Sequence, residues 1–489
     1  MHLRDPNKHS RRAFLCRSGQ LALTGTALPF ALNLAAMGEA AAMDASDYKA
    51  LVCVFLYGGN DYANTVVTYD DPRYNLYSTI RGGTAGQGAG GIALAKSSLT
   101  ATVLKPSVAL PDGAQYALHP SMTGLANLFN AGQAAVQLNV GPLVVPLTRT
   151  QYASANRITY PLPPKLFSHN DQQSIWQSSS PEGSTIGWGG SIGDLALSAN
   201  ANGNGKSLFT CINVTGNAVF LSGSNALSYQ VSTGGAVAIN AVKSNVYQSD
   251  AVKDALATLV QQTREHTLEN AYNTVTARAI GVEAQVKSAL DTVTLTTMFP
   301  ANNLLADQLK TVARLIGARN GLGTRRQVFM VSLGGFDNHD NLIVQQAALL
   351  GKVSDALTAF YNATVELGVA NKVTAFTASD FGRTLASNGD GSDHGWGSHH
   401  MMIGGAVKGK AFYGTAPPVS VSNTAAAQDQ WHVGQGRLLP STSVDQYAAT
   451  LAKWFGVADA ELDGILPNLR RFGVAAGRPD YPANMGFMA

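Results

Sequence analysis

The segment ALVCVFLYGGND, residues 50–61, is an unbroken apolar run that ends in two glycines, an asparagine and an acid. Apolar character without alternation is typical of a strand that is buried on both faces, as in a parallel sheet. Three later segments have the same design: QAAVQLNVGPL at 133–143, RQVFMVSLGGFDNHDN at 326–341 and NKVTAFTASDFGRT at 371–384. These four segments predict the core strands of one sheet.

Helical patterns accompany these strands and define the fold class. Apolar residues at helical spacing occur in four segments: 122–130, 250–290, 304–318 and 342–367. Alternating strands and helices predict an α/β fold with a mainly parallel core sheet and helices on both faces. Residues 208–238, rich in Ser, Thr, Val and Gly, predict hairpins that form a small β-rich insertion over the active face. No repeat or long linker is present, so residues 43–489 are expected to form a single domain.

The N-terminus has the order of a targeting signal. Arg11 and Arg12, in the context S-R-R-x-F-L, precede a weakly apolar stretch at 21–37 and a run of alanines that ends at Ala42. This order predicts a twin-arginine signal peptide over residues 1–42. A membrane helix is the alternative, but the stretch is too short and too polar to span a bilayer well. We expect export to the periplasm or beyond, with no stable membrane anchor after signal cleavage.

Composition narrows the function classes. Charged residues are 13% of the 489, and the net charge of +3 includes the basic N-terminus. The rest of the chain has no basic stripe, so nucleic acid is not expected as a partner. Cys53 and Cys211 are expected to be small buried residues rather than a disulfide. Neither has the C-x-P-x-R context of sulfatases that convert cysteine to an aldehyde, and no serine-hydrolase nucleophile elbow is expected.

Acidic residues follow three of the predicted strands. Asp61, Asp337 and Asp380 each come just after an apolar run. Because the carboxyl ends of parallel strands meet at one edge of a sheet, we expect these side chains to lie close together. Several carboxylates in one place are destabilising unless cations compensate them. The strand ends therefore predict a cation site.

Histidines beside these acids indicate the kind of cation. The segment GDGSDHGWGSHHMMIGG, residues 389–405, contains two acids and three histidines, and a histidine also follows the second strand-end acid. Mixed carboxylate and imidazole ligands suit Zn²⁺, Mn²⁺ or Fe, whereas Ca²⁺ prefers oxygen alone. The number of candidates is sufficient for up to two divalent metal ions, which can clamp an ester displacement. The predicted ligands are Asp61, Asp337, His339, Asp380, Asp393, His394 and His399.

Each of these residues also has a structural interpretation. Asp61 could cap the following helix or turn, and Asp380 could cap a turn and pair with Arg383. Asp393 and the histidine that follows it could be a solvated pair in a loop. His399 and His400 point to opposite sides of a strand, so one of them is expected to be structural.

Two further residues are candidates for acting on a substrate. Arg383 is the predicted anion clamp, because a guanidinium matches phosphate or carboxylate oxygens with two parallel hydrogen bonds. Ser168, in LFSHNDQQSIWQ at 166–177, lies at the start of a predicted helix, where a hydroxyl can hold or attack an anion. The alternative for Ser168 is a helix N-cap only.

The sequence resembles a known family over nearly the whole mature chain. The matching segments are FLYGGNDYANTVV, YALHPSMTGLANLFNAG, LFSHNDQQSIWQ, GGFDNHDN, SDFGRTLASNGDGSDHGWGSHHMMIGGAVKGKAFYG and GRLLPSTSVDQYAATLAKWFGV. They resemble the twin-arginine-exported bacterial family catalogued as domain of unknown function 1501. The resemblance implies a distant branch of the alkaline-phosphatase-like superfamily, which includes phosphatases and sulfatases.

That superfamily implies an α/β core, two metals at the strand ends and a Ser, Thr or modified Cys nucleophile. By position, Asp61, Asp337 with His339, Asp380, and His394 or His399 would be ligands, and Ser168 the nucleophile. The chain departs from the superfamily pattern at two strand ends: it reads Asp-Asn-His instead of Asp-x-x-x-His, and Asp-Phe instead of Asp-His.

Together these features predict an exported metal-dependent hydrolase of phosphate or sulfate esters. Its substrate would be a small or polymeric anionic ester, attacked by Ser168 or by a hydroxide that the metals hold. The alternative is a non-catalytic secreted binding or assembly protein that retains the hydrolase fold. The family resemblance implies, in either case, a second co-exported protein as a candidate partner.

Overall fold

A computed structural model describes residues 43–83, 91–197, 200, 208–216, 218–226, 228–236 and 239–489. The predicted signal peptide, residues 1–42, lies outside the described residues, so its assignment stays a prediction. Nothing in the described ranges is a helix long and apolar enough to cross a bilayer.

Twelve strands are described, and ten of them form one sheet. Their bounds are β1 Lys49–Leu56, β2 Val66–Thr68, β3 Tyr116–Leu118, β4 Ala134–Gly141, β5 Cys211–Asn213, β6 Ser228–Ser232, β7 Gly235–Ala236, β8 Arg326–Leu333, β9 Val373–Ser379, β10 Ser398–Ile403, β11 Phe412–Tyr413 and β12 Thr442–Ser443. The order across the large sheet is β11-β4-β10-β9-β1-β8-β5-β6-β7, with β12 paired to β4, whereas β2 and β3 form a separate pair.

Most strands of the large sheet run in one direction. β1 pairs in parallel with β8 on one side and with β9 on the other. β10 runs antiparallel between β9 and β4, and β7 runs antiparallel to β6. The prediction of a mainly parallel sheet is confirmed, and the four apolar segments form β1, β4, β8 and β9.

Twelve α-helices are described around the sheets. Their bounds are α1 Tyr62–Thr65, α2 Asp71–Ile80, α3 Thr123–Asn130, α4 Arg149–Ala153, α5 His169–Ser178, α6 Trp188–Ala196, α7 Asp250–Leu259, α8 Thr267–Asp291, α9 Leu304–Gly317, α10 Leu342–Glu366, α11 Val444–Phe455 and α12 Asp459–Ile465.

Alternate side chains of β1 show why helices cover both faces of the sheet. Val52 and Val54 are fully buried in a core layer that includes apolar residues of α3, α9 and α10. Cys53 and Phe55 point to the other side and are buried with residues of α6 and α11. Because helices cover both faces of the central strand, side chains on both faces of β1 are apolar, and its sequence does not alternate between polar and apolar residues. Both predicted cysteine positions are buried free thiols, as expected.

Two sequence predictions need correction in detail. The predicted helix over 250–290 is two helices, α7 and α8, and Asn273 of α8 donates from Nδ2 to the carbonyls of Leu259 and Gln262 at the end of α7. The β-rich stretch 208–238 does contain short strands, with a β6–β7 hairpin. These strands do not lie over the active face, because β5 pairs in parallel with β8 and extends the main sheet.

Asp445 gives the fold a testable pH dependence. Its side chain is buried in the first turn of α11, where its carboxylate accepts from the Asn468 backbone N–H at 3.1 Å. Burial raises the pKa of Asp445 to about 6, above the value of about 3.9 that is normal for an unfolded chain. A raised carboxyl pKa means that the folded state binds the proton more tightly, so this contribution to stability is lost as pH rises from about 4 to 6.

We expect Asp445→Asn, which cannot ionise, to gain stability relative to the parent protein between pH 4 and pH 7. The expected difference in ΔΔG of unfolding between these pH values is on the order of 2 kcal/mol. Urea unfolding at both pH values measures it. An equal ΔΔG at both pH values would show that the carboxyl does not titrate in this range.

Candidate metal centre

Three strand ends meet at one edge of the sheet, as the parallel order β9-β1-β8 requires. Asp380 directly follows β9, and its Oδ2 accepts from the backbone N–H of Gly58 after β1 at 3.2 Å. Gly58 has φ of 117°, and a Cβ there would lie 2.4 Å from the backbone nitrogen of Asp337 after β8. Only glycine therefore allows the β1 and β8 ends to approach this closely.

Four groups surround the carboxylate of Asp337. Arg383 donates from Nη1 to Oδ1 at 2.7 Å, and the Nε2 atoms of His339 and His394 each lie 3.1 Å from the same oxygen. Nε2 of His169 lies 3.4 Å from Oδ2. Asp337 is thus the centre of a cluster that draws on β8, the loop after β9 and the start of α5.

The other ring nitrogen of each histidine fixes where its lone pair points. Nδ1 of His394 lies 2.8 Å from the carbonyl oxygen of Phe167, which can only accept, so Nδ1 is the donor. Nδ1 of His169 likewise donates to Oδ2 of Asp380 at 2.6 Å. In a neutral ring each Nε2 is then unprotonated and faces the carboxylate of Asp337.

His339 completes the set in the same way. Its Nδ1 lies 3.3 Å from Oδ1 of Asp393, and its Nε2 lies 3.0 Å from Nε2 of His394. Two unprotonated nitrogens and a carboxylate oxygen at this distance repel one another unless a proton or a metal ion lies between them. A carboxylate or carbonyl on Nδ1 and a metal on Nε2 is the usual arrangement of metal-binding histidines.

The separations fit the ligand shell of a single ion. Ligand atoms about 2.0–2.2 Å from Zn²⁺ lie about 3.0–3.5 Å from one another at ordinary bond angles. The contacts of the imidazoles to Asp337 are 3.1 to 3.4 Å, and His339 also lies 3.0 Å from His394, although it is not within reach of His169 in the same set. His169, Asp337 and His394 can each offer an atom within 4.8 Å of the other two. Nε2 of His169 is also buried without a hydrogen bond to any described residue. Three imidazoles with one carboxylate suit Zn²⁺, Mn²⁺ or Fe.

Electrostatics favour the metal-binding forms of Asp337 and His394, whereas His169 binds its proton more tightly than a free imidazole. Burial alone would raise the pKa of Asp337, but Arg383 and the neighbouring imidazoles outweigh burial and hold that pKa below its usual range. Burial lowers the pKa of His394. The hydrogen bond to Asp380 raises the pKa of His169, which makes Nε2 a stronger ligand base. A carboxylate and an unprotonated imidazole are the metal-binding forms.

The cluster is open on one side and sealed on the other. The side chains of Asp337, His339, His169 and His394 are 44, 40, 28 and 25% exposed, whereas those of Asp380 and Arg383 are fully buried. These four side chains are therefore partly accessible, although Nε2 of His169 itself is buried, and of the residues that orient them Asp380 is sealed whereas Asp393 is 36% exposed. Solvent access on one side is a requirement of catalytic metal sites, which keep a ligand position open for water or substrate.

Asp61 does not belong to this cluster, which corrects its predicted role as a ligand. Its buried carboxylate pairs with Arg81, whose Nη1 donates to Oδ1 at 3.0 Å and whose Nη2 donates to Oδ2 at 2.5 Å. It also accepts from Oγ of Ser392 at 2.7 Å and from the backbone N–H of Asn64 at 3.0 Å. Four donors leave no lone pair for a metal, and the N-cap alternative for Asp61 is the one that the structure supports.

His399 is also not a ligand. It lies in β10, where its buried Nδ1 accepts from the backbone N–H of Asn139 at 3.0 Å and its ring packs against Tyr62 at 5.2 Å. Burial lowers the pKa of His399 to about 3. His400 points to the other side of the strand and packs against Trp176 at 4.7 Å. Both histidines are therefore core residues.

Asp380 and Asp393 contact the centre through histidines, and their role as direct ligands stays a prediction. Oδ2 of Asp380 accepts from His169, Gln173 and the Gly58 backbone. Its Oδ1 is buried without a partner among the described residues. Asp393 orients His339 and also accepts from the side chain of Asn388 at 2.9 Å.

Arg383 is not available as an anion clamp, because every nitrogen of its buried guanidinium is already bound. Nη1 donates to Asp337 and to the Gly58 carbonyl, whereas Nε and Nη2 donate to the Ser392 carbonyl. The side chain instead fixes the loop after β9 against the ends of β1 and β8. Gly391 helps this loop to close, since a Cβ there would lie 2.1 Å from the His339 carbonyl oxygen.

Ser168 is at the N-cap position of α5, and its role as nucleophile stays a prediction. Its hydroxyl donates to Oδ2 of the buried Asp171 at 2.9 Å and does not cap the helix backbone. The sequence GGSIG at 189–193 has the G-x-S-x-G form, contrary to the expectation that the chain has no such motif. It lies inside α6 rather than at a strand-to-helix turn, so it is not a nucleophile elbow.

Sequence reasoning missed two residues of the centre, His169 and Gln173. They are one helical turn apart on α5, and both donate to Oδ2 of Asp380, at 2.6 and 2.8 Å. The spacing of four residues was the available signal, because it places both side chains on one helix face. Phe167 just before them has φ of 76°, a conformation unusual for a bulky residue that aims its carbonyl at His394.

Fold and site together define an α/β protein with a candidate metal centre at the carboxyl ends of a mainly parallel sheet. A family model described as "Protein of unknown function (DUF1501)" matches residues 48–464. The chain belongs to this family, as its sequence motifs predicted. No curated protein matches the chain significantly.

Solved structures that align with the chain do so weakly. The crystal structure of Ps i-CgsB, with k-i-k-neocarrahexaose, has 8% identity and a TM-score of 0.33, and the alignment covers 90% of this chain and 78% of that chain. A Bacteroides thetaiotaomicron structure designated BT33494S-sulf, from a study of the metabolism of multiple glycosaminoglycans, has 10% identity, a TM-score of 0.31 and coverage of 88% and 75%. Scores this low do not establish a common fold.

We expect the purified chain to bind one Zn²⁺ or Mn²⁺ at this centre. His169→Ala and His394→Ala should each abolish this binding, because each removes a ligand. Asp380→Asn should weaken it by about 10–100-fold, because the carboxylate orients His169. Elemental analysis and calorimetric titration of chelator-treated protein measure stoichiometry and affinity. The exposed His266→Ala is the matched control, and retention of the metal by His169→Ala would contradict the assignment.

The corrected role of Asp61 predicts a stability defect instead of a metal defect. Asp61→Ala leaves the buried Arg81 uncompensated and should reduce the free energy of unfolding by about 3–5 kcal/mol. The double variant Asp61→Ala with Arg81→Met should recover part of that loss. Folded Asp61→Ala protein should still bind one metal ion, and loss of the ion without loss of stability would restore Asp61 to the ligand set.

Proposed function

We propose that this chain is an exported metal-dependent hydrolase of phosphate or sulfate esters. One observation carries the proposal: three partly exposed imidazoles converge on the carboxylate of Asp337, and each is held at Nδ1 by an oxygen acceptor. The predicted twin-arginine signal at residues 1–42 supports export. The resemblance to the alkaline-phosphatase-like superfamily supports the choice of ester chemistry.

Four residues would hold the metal, and three groups would keep them in place. His169, His339, His394 and Asp337 are the ligands. Their orientation depends on two carboxylates and the Phe167 carbonyl, which accept from the three Nδ1 atoms. When bound, a divalent metal would polarise an ester oxygen and stabilise the charge that develops on it.

Ser168 is the proposed nucleophile because a base is already in contact with it. Its hydroxyl donates to the carboxylate of Asp171, which is buried and also lies 3.4 Å from Nζ of Lys165. In the proposed step Ser168 Oγ forms a bond to phosphorus or sulfur while the bond to the ester oxygen breaks. The serine proton passes to Asp171 and from there to the departing oxygen, which leaves as the alcohol. Water would then release the inorganic anion from the serine.

The metal number in this proposal is one rather than two. Buried arginines already compensate two of the strand-end acids, since Arg81 pairs with Asp61 and Arg383 with Asp337. Among the described residues, side chains that bring three ligand atoms within 4.8 Å of one another occur only in the cluster around Asp337. The cluster at Asp337 is therefore the single centre of the proposed enzyme.

One observation favours the alternative, a secreted binding or assembly protein. On α8 the exposed side chains of Leu268, Tyr272 and Val275 follow helical spacing and form an apolar stripe. Such a stripe suits contact with another protein, including a second co-exported one. It lies on a helix that contributes no residue to the metal cluster.

Turnover of charged esters tests the proposed activity. Zn²⁺- or Mn²⁺-loaded protein should hydrolyse at least one ester from a panel of aryl phosphate monoesters, diesters and sulfate esters. Asp337→Ala should lose both metal and turnover, whereas Ser168→Ala should keep its metal and lose kcat by orders of magnitude. The neighbouring Ser174→Ala, which lies outside the cluster, is the matched control.

A folded, metal-loaded protein that turns over none of these esters would contradict the enzyme and favour the binding protein. Full activity of Ser168→Ala would leave the metal centre in place and assign the attack to water.

A further inference from the structure

Arg437 lies beside the metal cluster but, unlike Arg383, forms no ion pair with its carboxylate in the described part of the chain. Its Nε donates to the backbone carbonyl of His394, a residue of the ligand set, at 2.7 Å. Its guanidinium carbon lies 5.5 Å from the centroid of the Phe167 ring. Phe167 and His394 also contact each other, so the guanidinium is held from two sides by residues of the centre itself.

The terminal nitrogens of Arg437 are uncommitted. In the part of the chain that the structure describes, Nη1 and Nη2 make no hydrogen bond, and neither is sealed from solvent. The buried arginines differ: Arg81, Arg326 and Arg383 all donate from their terminal nitrogens to backbone or side-chain oxygens. Arg437 therefore presents two N–H groups whose plane is fixed but whose partner is absent.

The surroundings of the Arg437 guanidinium favour the binding of an anion. The side chain is half-buried, and burial lowers the pKa of Arg437, an effect that Asp393 opposes. A guanidinium stays charged even so, and a partly desolvated one binds oxyanions more strongly than one in open water. The nearby carboxylate of Asp393 is already engaged by His339 and Asn388, so it does not occupy the fork.

Because Arg383 is fully bound and Arg437 is not, we propose that Arg437 binds the phosphate or sulfate group of the substrate beside the metal centre. This inference rests on the proposed function. Two parallel N–H···O bonds from one guanidinium match two oxygens of a tetrahedral oxyanion. The contacts to the His394 backbone and to the Phe167 ring would hold that anion beside the loops that carry two of the imidazoles, and Arg437 would select charged esters over neutral ones.

Binding of inorganic phosphate and sulfate tests the inference independently of turnover. Titration of these ions into Zn²⁺-loaded protein should give binding that Arg437→Gln weakens by at least tenfold, with metal content and melting temperature unchanged. The exposed Arg470→Gln is the matched control and should bind as the parent does. If the parent turns over an ester, Arg437→Gln should raise KM for it by a similar factor and change kcat less.

Three results would overturn the inference. The loaded parent protein could bind neither ion at millimolar concentration, Arg437→Gln could bind both as tightly as the parent, or Arg470→Gln could show the same loss. If Arg437→Gln fails to load metal, Arg437→Lys is used instead, since lysine keeps the positive charge but cannot donate two parallel hydrogen bonds. Weakened binding in Arg437→Lys supports the inference, and unchanged binding contradicts it. A parent that binds the ions through Arg437 but hydrolyses no ester would contradict only the proposed activity.

Discussion

The structure depends on how carboxylates at the strand ends are compensated. The order β9-β1-β8 brings Asp61, Asp337 and Asp380 to one edge of the sheet, where charges of one sign are costly unless positive groups meet them. Arg81 neutralises Asp61. Asp380 accepts hydrogen bonds from two side chains of α5 and from the backbone N–H of Gly58 after β1. Only Asp337 keeps an open side, with Arg383 on one oxygen and three imidazoles around it. This unequal compensation separates the structural acids from the one that can bind a metal.

Much of the fold could be predicted because it depends on local patterns. The unbroken apolar runs of β1, β8 and β9 indicated strands buried on both faces, and their parallel order then indicated where a site would lie. Asp337 and His339 could be predicted because they directly follow a strand. His394 could be predicted because it lies in a glycine-rich loop, where a cluster of acids and histidines is not needed for folding. The break between α7 and α8 was not predicted, because the sequence does not show that Asn273 of α8 meets the end of α7.

The errors in the site have a common physical origin, which is long-range partnership. The sequence predicted Asp61 as a ligand because it does not show that Arg81 binds the same carboxylate. It predicted Arg383 as an anion clamp because it does not show that the guanidinium is already hydrogen-bonded within the protein. His399 lies only five residues after His394, yet the start of β10 moves it into the core. His169 was missed for the converse reason: its spacing with Gln173 places both on one helix face, but the sequence does not show that this face meets Asp380. Each imidazole of the centre is oriented by a hydrogen bond at Nδ1, so the site is pre-organised for a metal ion.

X-ray absorption spectroscopy of the Zn²⁺-loaded protein tests the central claim, a single centre of three histidines and Asp337, most directly. We expect one zinc per chain with a first shell of nitrogen and oxygen at about 2.0–2.1 Å, and with the outer-shell scattering of three imidazole rings that falls to two in His339→Ala. A shell of oxygen alone, or a spectrum that the loss of His339 does not change, would show that the metal does not bind where these side chains converge.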